Sequence, residues 1–272
     1  MKVKSEIIED ATSRNARHKL ETKYAWIYDL IYPDFVPRIK KQNDILIERL
    51  KEGNTSKEIL ELGSGSGRQS WLLGREGFDA QALDISPQMI ELAQKKLGKE
   101  RASLGDARSF STDEPLGAVV LGPLVTCFFL DNKDLTRTLD CAYHSLSKGG
   151  LVLCEFIAAD HILKDPFYNA ISKAEFKIAQ GKITRFNECR LELSRDTKYD
   201  WFSTYIFDLK DGLSIDTDDV LLRAFWPSEV EQIFDASGFT VVDEFGFDTK
   251  DFVKLDKAGG LKTTLLFVAR KK

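Results

Sequence analysis

Histidine, cysteine and methionine are scarce in this chain of 272 residues, which holds three, four and two of them. The cysteines, Cys127, Cys141, Cys154 and Cys189, form no C-x-x-C pair, and no histidine clusters with them. A zinc site needs such clustering, so no metal is expected, and the thiols read as small, reduced apolar groups. No apolar run approaches 18 residues, so no membrane span is expected. The polar N-terminus lacks the apolar core of a signal peptide, and the cytoplasm is the expected compartment. Positive charge is not in excess: 39 Lys and Arg stand against 43 Asp and Glu, a net charge of −4. That balance lacks the basic footprint of a nucleic-acid binder, and no nucleic-acid partner is expected. Internal repeats and low-complexity linkers are missing too.

What is present is 43% hydrophobic and 30% charged residues, the composition of a soluble globular chain with a sizeable core. "KEILEL" (57–62) is a short apolar run stopped by glycine and reads as a buried strand. "FDAQALDIS" (78–86) reads as a second strand ending at Asp84. "QMIELAQKKLG" (88–98) places Ile90, Ala93 and Leu97 on one helical face, with Gly98 as its stop. A strand opening "GAVVLGPLVTCFFL" (117–130), a helix over 133–150 and a strand "LVLCEFI" (151–157) continue the alternation. Alternating strands and helices imply a parallel sheet with right-handed crossovers. "PSEVEQIFDASGF" (227–239) has the capping-box pattern Ser228 with Glu231. The two strands after it, over 239–247 and 261–271, are too close for a crossover helix and should pair antiparallel. From "ITRF" to "DLKDG" the residues alternate apolar and polar, with a turn expected around "RDTKYD". This predicts a hairpin or small antiparallel sheet inserted into the α/β core.

The stretch "EILELGSGSGRQS" (58–70) carries the chemistry. Glycines let a ligand approach bare backbone, and the helix that follows offers free N–H groups. The dinucleotide fingerprint G-x-G-x-x-G is not met, because Gly65–Ser70 lacks its third glycine. Glu61 precedes the first glycine by two residues; a carboxylate there would repel a pyrophosphate and attract an ammonium. Asp84 ends the second strand, 17 residues beyond Gly67, where a carboxylate accepts hydrogen bonds from both hydroxyls of a ribose. The inferred ligand has a ribose and an amino group and no pyrophosphate.

"ELGSGSGR", "LDISPQMIELA" and "GDAR" resemble the successive cofactor motifs of class I S-adenosylmethionine-dependent methyltransferases of the small-molecule type. The resemblance covers roughly residues 57–157, and 223–271 by the pattern "FWPSEVEQIFDASGFTVV". It implies an α/β fold, a Rossmann-like, mostly parallel seven-stranded sheet with an antiparallel last strand. It also implies S-adenosylmethionine as cofactor, with S-adenosylhomocysteine as product. By that resemblance the loop of Gly63, Ser64, Gly65 and Gly67 lies under the methionine part and Glu61 faces the amino group. Asp84 holds the ribose, Ile85 packs on adenine, Asp106 with Ala107 meets the adenine edge, and Leu121 and Gly122 lie beside the cofactor. On the residues alone, the alternatives are that Glu61 caps the loop's own backbone and that Asp106 initiates a turn. Arg68 either neutralises the cofactor carboxylate or pairs on the surface.

One domain over 1–272 is expected, with a helical lid (1–55), a cofactor-binding core (56–160), a substrate-side insertion (161–222) and a completing segment (223–272). In "KYAWIYDLIYPDF" (23–35), Tyr24, Tyr28, Ile31 and Phe35 recur at helical spacing. That is the pattern of a helix packed on the core, or of a lid. "YDLIY" resembles the N-terminal segment of small-molecule methyltransferases, which makes Tyr28 a candidate contact for cofactor or acceptor, with Tyr24 and Tyr32 beside it. A methyl bound to a sulfonium is already activated, so alignment and dehydration are the protein's main contribution. A hydroxyl acceptor would need a general base. Of the three histidines, His18 precedes the lid, His144 falls on the far side of the sheet, and His161 follows a core strand towards the expected methyl position. Trp201 and Tyr205 of the insert, with Arg223 and Trp226 where the chain re-enters the core, complete the candidates for substrate binding. The expected reaction is methylation of a small molecule, nitrogen favoured over oxygen, by a monomer or homodimer. O-methylation of a hydroxyl or carboxylate, and a non-catalytic S-adenosylmethionine-binding partner protein, are the alternatives.

Overall fold

The computed structural model describes residues 1–33, 35–53, 56–164, 171–191, 197–247, 251–254 and 263–272. In chain order its elements begin with β1 (Val3–Lys4), α1 (Ala11–Ala16), α2 (Tyr28–Ile31) and α3 (Phe35–Gly53). Then come β2 (Glu58–Leu62), α4 (Arg68–Arg75), β3 (Asp79–Asp84), α5 (Pro87–Leu97), β4 (Ala102–Leu104), β5 (Ser111–Thr112) and β6 (Leu116–Leu121). They are followed by α6 (Asn132–Ser145), β7 (Leu146–Ile157), α7 (Ala159–Lys164), β8 (Ser172–Ile178), β9 (Gly181–Leu191), β10 (Lys198–Leu209) and β11 (Gly212–Arg223). The chain closes with α8 (Pro227–Ala236), β12 (Phe239–Phe247), β13 (Phe252–Lys254) and β14 (Thr264–Lys271).

The main sheet has the order β13-β12-β14-β7-β6-β2-β3-β4. β4, β3, β2, β6 and β7 pair in parallel, while β14 runs antiparallel to both β7 and β12. The six core strands read from the sequence are there, β4 completes the seven that the resemblance implies, and β13 adds an eighth at the edge. The final strand begins at Thr264; residues 261 and 262 lie outside the described residues, as do Arg195 and Asp196 of the expected turn.

Both faces of the sheet are covered, which is why its central strands are apolar on both sides. Ile59, Ala118, Val120 and Leu153 pack against Leu46 and Leu50 of α3 and Leu73 of α4. Their neighbours Leu60, Val119 and Val152 face Leu135 and Leu139 of α6 and Val230 and Phe234 of α8. The chain leaves β2 towards β3 and β4, then returns to β6 on its other side. This reversal opens a crevice at the carboxyl ends of β2 and β6, the place where open α/β sheets bind ligands.

Two local expectations are corrected. α8 has no capping box: Pro227 occupies its first position, so Trp226 is the N-cap and makes no side-chain cap. The aromatic stretch 23–35 is not one helix either. A 3-10 turn (Ala25–Ile27) leads into the short α2, which stops ahead of Pro33, because the residue before a proline is steered out of the helical region.

The insertion is a four-stranded antiparallel sheet of order β11-β10-β9-β8. It rejoins the core where Phe225 N–H donates to Ile157 O at 2.8 Å and Ala159 N–H to Phe225 O at 3.0 Å. Alternation along β10 turns Trp201, Ser203, Tyr205 and Phe207 to its more buried face. Leu20, Tyr24, Ile27 and Ile31 of the N-terminal segment cover part of that face. The same segment is tied to the core, where β1 pairs with β5 and buried Arg108 bonds Asp10, Asp106 and Asp134. Residues 1–33 therefore strap the insert to the Rossmann-like core.

Candidate active site

The crevice, the strap and the inward face of the insert enclose a cavity of about 330 Å³, with a cleft of about 30 Å³ at the glycine-loop end. The larger volume lies within the range of small-ligand sites.

The loop after β2 is shaped by its glycines. Gly63 and Gly65 have φ of 61° and 53°, and both line the large cavity. A Cβ at Gly63 would sit 2.6 Å from Val125, so no larger residue fits. A Cβ at Gly65 would sit 3.4 Å from Tyr28, so the tyrosine ring lies over the loop. Gly67 (φ 76°) lines neither cavity; it is the N-cap of α4 and packs against Ala93 and Leu97 of α5.

Asp84 sits at the tip of β3, 7% exposed, on the cavity wall. It accepts from the backbone N–H of Gly65 at 2.7 Å and of Ser86 at 2.8 Å, which fixes the carboxylate beside the loop. Burial pushes its pKa up to about 6, against the lowering effect of those bonds. Glu61 borders the small cleft, and its Oε2 accepts from the N–H and hydroxyl of Ser70 at 2.7 and 2.6 Å. It thus caps α4, and burial raises its pKa to about 7. In the same cleft the Ser64 hydroxyl is buried with no hydrogen-bond partner. Arg68 borders the cleft too, with Nε 2.9 Å from Asp29 and Nη1 donating to Tyr32 O.

Ile85, Asp106 and Ala107 line the large cavity. Asp106 is engaged: Oδ1 accepts from Arg108 N and Nε, and Oδ2 from Arg108 Nη2 and Ile8 N. Leu121 lines neither cavity; it is fully buried in the core facing α6, and Gly122 and Pro123 take the rim.

On the opposite side the wall is polar. His18 Nδ1 lies 2.9 Å from Asp218 Oδ2, and its Nε2 is 3.7 Å from Glu21 Oε1. Its ring stacks on Phe128 at 5.8 Å. Asp218 also accepts from the N–H of Lys19 and Leu20 at 3.0 and 2.9 Å. Burial pushes Asp218 up, but His18 and those N–H groups together hold its pKa below the usual carboxylate value. Burial, with Asp84 and Asp218 nearby, pushes Glu21 well above its ordinary value. The Glu21 carbonyl accepts from Ser86 Oγ at 2.5 Å, placing this cluster next to the loop that follows β3. His18, Glu21 and Asp218 all line the cavity, as do Tyr28, Tyr32, Arg185, Trp201 and Ser203.

The remaining candidates stand elsewhere. Tyr24 is 6% exposed and bonds Asp216, and Tyr205 is fully buried beside Tyr24 and Phe207. Arg223 pairs with Glu229 and lies over Phe225, and Trp226 is 37% exposed at the start of α8. His161 is on α7; none of these five lines either cavity. The His18–Asp218 pairing was not readable in the sequence, because 200 residues separate the two and no spacing rule connects them.

The site suits a cofactor with a ribose and an amino acid end. Asp84 is held as an acceptor at the strand tip, the glycines leave bare backbone, and an unpartnered hydroxyl and a carboxylate border the small cleft. Residues 59–150 match a family model described as a methyltransferase domain. An N,N-dimethyltransferase of dTDP-3-amino-3,4,6-trideoxy-alpha-D-glucopyranose from Streptomyces venezuelae is 22% identical over 81% of this chain and 92% of its own. A glycine/sarcosine N-methyltransferase from Parasynechococcus marenigrum is 24% identical over 82% of this chain and 77% of its own. Among solved structures, an S-adenosylmethionine-dependent methyltransferase from Clostridium acetobutylicum superposes with a TM-score of 0.73 over 92% of this chain and 98% of that one, at 18% identity, a likeness of fold. Domain match, sheet order and a glycine loop paired with a strand-end carboxylate agree: residues 59–150 form a methyltransferase domain on a Rossmann-like sheet, and the chain is an S-adenosylmethionine-dependent methyltransferase.

Proposed function

We propose that this enzyme methylates nitrogen on a small molecule. The observation that carries the reading is the wall of His18, Glu21 and Asp218 in a half-open cavity shared with the glycine loop. Asp218, held below the usual carboxylate value, attracts a cationic amine, and the cavity's size fits a small acceptor rather than a polymer. The two relatives above are both named as N-methyltransferases, one of an amino sugar nucleotide and one of glycine and sarcosine.

Asp84 would hold the cofactor ribose, Gly63 and Gly65 would pass beneath its methionine part, and Ile85 and Ala107 would border its base. S-adenosylmethionine supplies the activated methyl group. An amine arrives protonated at neutral pH and must lose that proton before its lone pair is usable. His18 is oriented to take it, since Asp218 accepts its Nδ1–H, which leaves Nε2 as the basic nitrogen beside Glu21. Tyr28, over the loop, and Trp201, on the insert, exclude water and restrict the approach of the acceptor.

Matched acceptor pairs differing only in amine or hydroxyl, such as glycine and glycolate or an amino sugar and its hydroxy analogue, test this. Release of S-adenosylhomocysteine and a mass gain are expected on the amine member alone. His18→Gln should lower turnover by about 10²–10⁴-fold and leave the affinity for S-adenosylhomocysteine unchanged. Turnover of the hydroxyl members instead would establish O-methylation. Binding of the cofactor without turnover of either set would favour the partner-protein reading.

A further inference from the structure

Arg185, on β9, is a buried cation without a counter-ion. It is 4% exposed and lines the large cavity. Its Nη1 donates to the Tyr32 hydroxyl at 3.2 Å and its Nη2 to Ser203 Oγ at 3.1 Å, and both partners are neutral. The rings of Tyr32 and Tyr205 each lie 5.5 Å from the guanidinium carbon. Among the described residues no carboxylate comes within 4.0 Å of it, and its Nε is buried with no partner. Arg108 makes the contrast: also buried, it bonds three carboxylates. A guanidinium stays charged in proteins, and burying a charge unpaired is costly. Here that cost is incurred at a cavity wall, with the planar fork held in place by two hydroxyls. Such a fork matches the oxygens of a carboxylate or phosphate.

We propose that Arg185 receives an anionic group of the acceptor, a carboxylate or a phosphate. The cavity then carries both signs of charge, the guanidinium on β9 and, within its electrostatic reach but not in contact, Asp218 and Glu21 beside the His18 imidazole. An acceptor bearing both an amine and an anion is oriented by the two ends together. The cofactor's own carboxylate is a separate matter, because Arg68 and Glu61 border the small cleft and Arg185 does not. The anion site stands on the geometry of Arg185, whereas the amine at its other end rests on the nitrogen reading above.

The test uses the whole protein saturated with S-adenosylhomocysteine, at constant ionic strength. Acetate is followed by its methyl proton linewidth and inorganic phosphate by its ³¹P linewidth. Saturable broadening of one anion is expected from the wild type, and which one responds distinguishes carboxylate from phosphate. Arg185→Gln should weaken that binding at least tenfold, with Arg185→Lys in between, while the affinity for S-adenosylhomocysteine stays within twofold. If Arg185→Gln fails to fold, Arg185→Lys and Ser203→Ala carry the comparison, since each keeps a buried charge but loses the fork or its anchor. No saturable broadening by either anion, or equal broadening in the variants, overturns the proposal. A loss of S-adenosylhomocysteine affinity in Arg185→Gln, without loss of anion binding, assigns the residue to the cofactor and also overturns it. A protein that binds the anion through Arg185 yet methylates only hydroxyls overturns the nitrogen reading and leaves the anion site standing.

Discussion

In the proposed site Asp84 would combine two roles that titrate together, one in stability and one in ribose binding. In the cofactor-free fold, burial raises its pKa to about 6 from a reference of 3.8. The folded protein then holds this proton more tightly than the unfolded chain does. Asp84 therefore adds to stability below about pH 4, and that contribution is lost as pH rises through about 6. Ribose binding has the opposite preference, since the ionised carboxylate is the stronger acceptor for two hydroxyls. The ionisation of Asp84 alone should thus strengthen affinity for S-adenosylhomocysteine by about tenfold from pH 5 to pH 8, the ratio set by one proton leaving a group of pKa about 6. Asp84→Asn keeps an oxygen for Gly65 N–H but removes the titration. Calorimetry should find its binding weaker at pH 8 and free of the step near 6, with only the Glu61 step near 7 remaining. An unchanged step near 6 in the variant would remove Asp84 from the ribose. Residues of this kind are legible in a sequence because their chemistry is local. Glu61, the glycines and Asp84 lie within one strand–loop–helix–strand unit, where spacing alone sets position. Leu121 was misjudged because a strand's last residue faces one layer or the other by alternation, and this one faces α6.

The glycine loop and α4 divide their work between binding and packing. Gly65 faces the cavity and Tyr28, whereas Gly67 faces α5, so equal substitutions should fail differently. Gly67→Ala forces a Cβ into a left-handed conformation 3.0 Å from Ala93 and Leu97. A loss of about 1–3 kcal/mol of stability is expected from backbone strain and overpacking, read as a lower urea midpoint with unchanged slope. Gly65→Ala carries the same left-handed strain, at φ 53°, but meets only Tyr28 at 3.4 Å and fills space at the cavity wall, so its stability loss should be the smaller and be joined by a loss of ligand affinity. If Gly67→Ala weakened binding and left the midpoint alone, the division would be wrong. The elements themselves were legible wherever periodicity matched burial, as in β2, β3 and α5. The insert was legible as alternating strands, but not as a wall. Arg185 and Ser203 occupy polar positions like any other in those strands until the strap and core close over them.

At the scale of the molecule, the site exists only where three bodies meet. The core supplies the loop and Asp84, the insert supplies Arg185, Trp201 and Asp218, and the strap supplies His18, Glu21 and Tyr28. No sequence pattern announces such a junction, since Asp10, Arg108 and Asp134 must come together for the strap to hold. The strap grips lightly by comparison with the sheet. Its helices are short, and polar anchors carry much of its attachment, including Asn15 to the backbone of Leu221 and His18 to Asp218. Segments of this kind open at lower free energy than central strands. A ligand contacting strap and loop together must shift that opening towards the closed form, by about 2.7 kcal/mol at a hundredfold excess over its Kd if closure is required for binding. Hydrogen exchange with and without S-adenosylhomocysteine measures it. Amides over residues 10–32 should slow by up to about a hundredfold, the kinetic equivalent of that energy. Those of β7, in the middle of the sheet, should open only with global unfolding and follow the overall rise in stability. Asp10→Asn weakens the anchor to Arg108 without touching the loop or Asp84, so it should speed exchange in the strap of the free protein and widen the difference the ligand makes. Equal exchange in the strap with and without ligand would mean that the cavity is already closed, and that residues 1–33 serve as fixed wall rather than as cover.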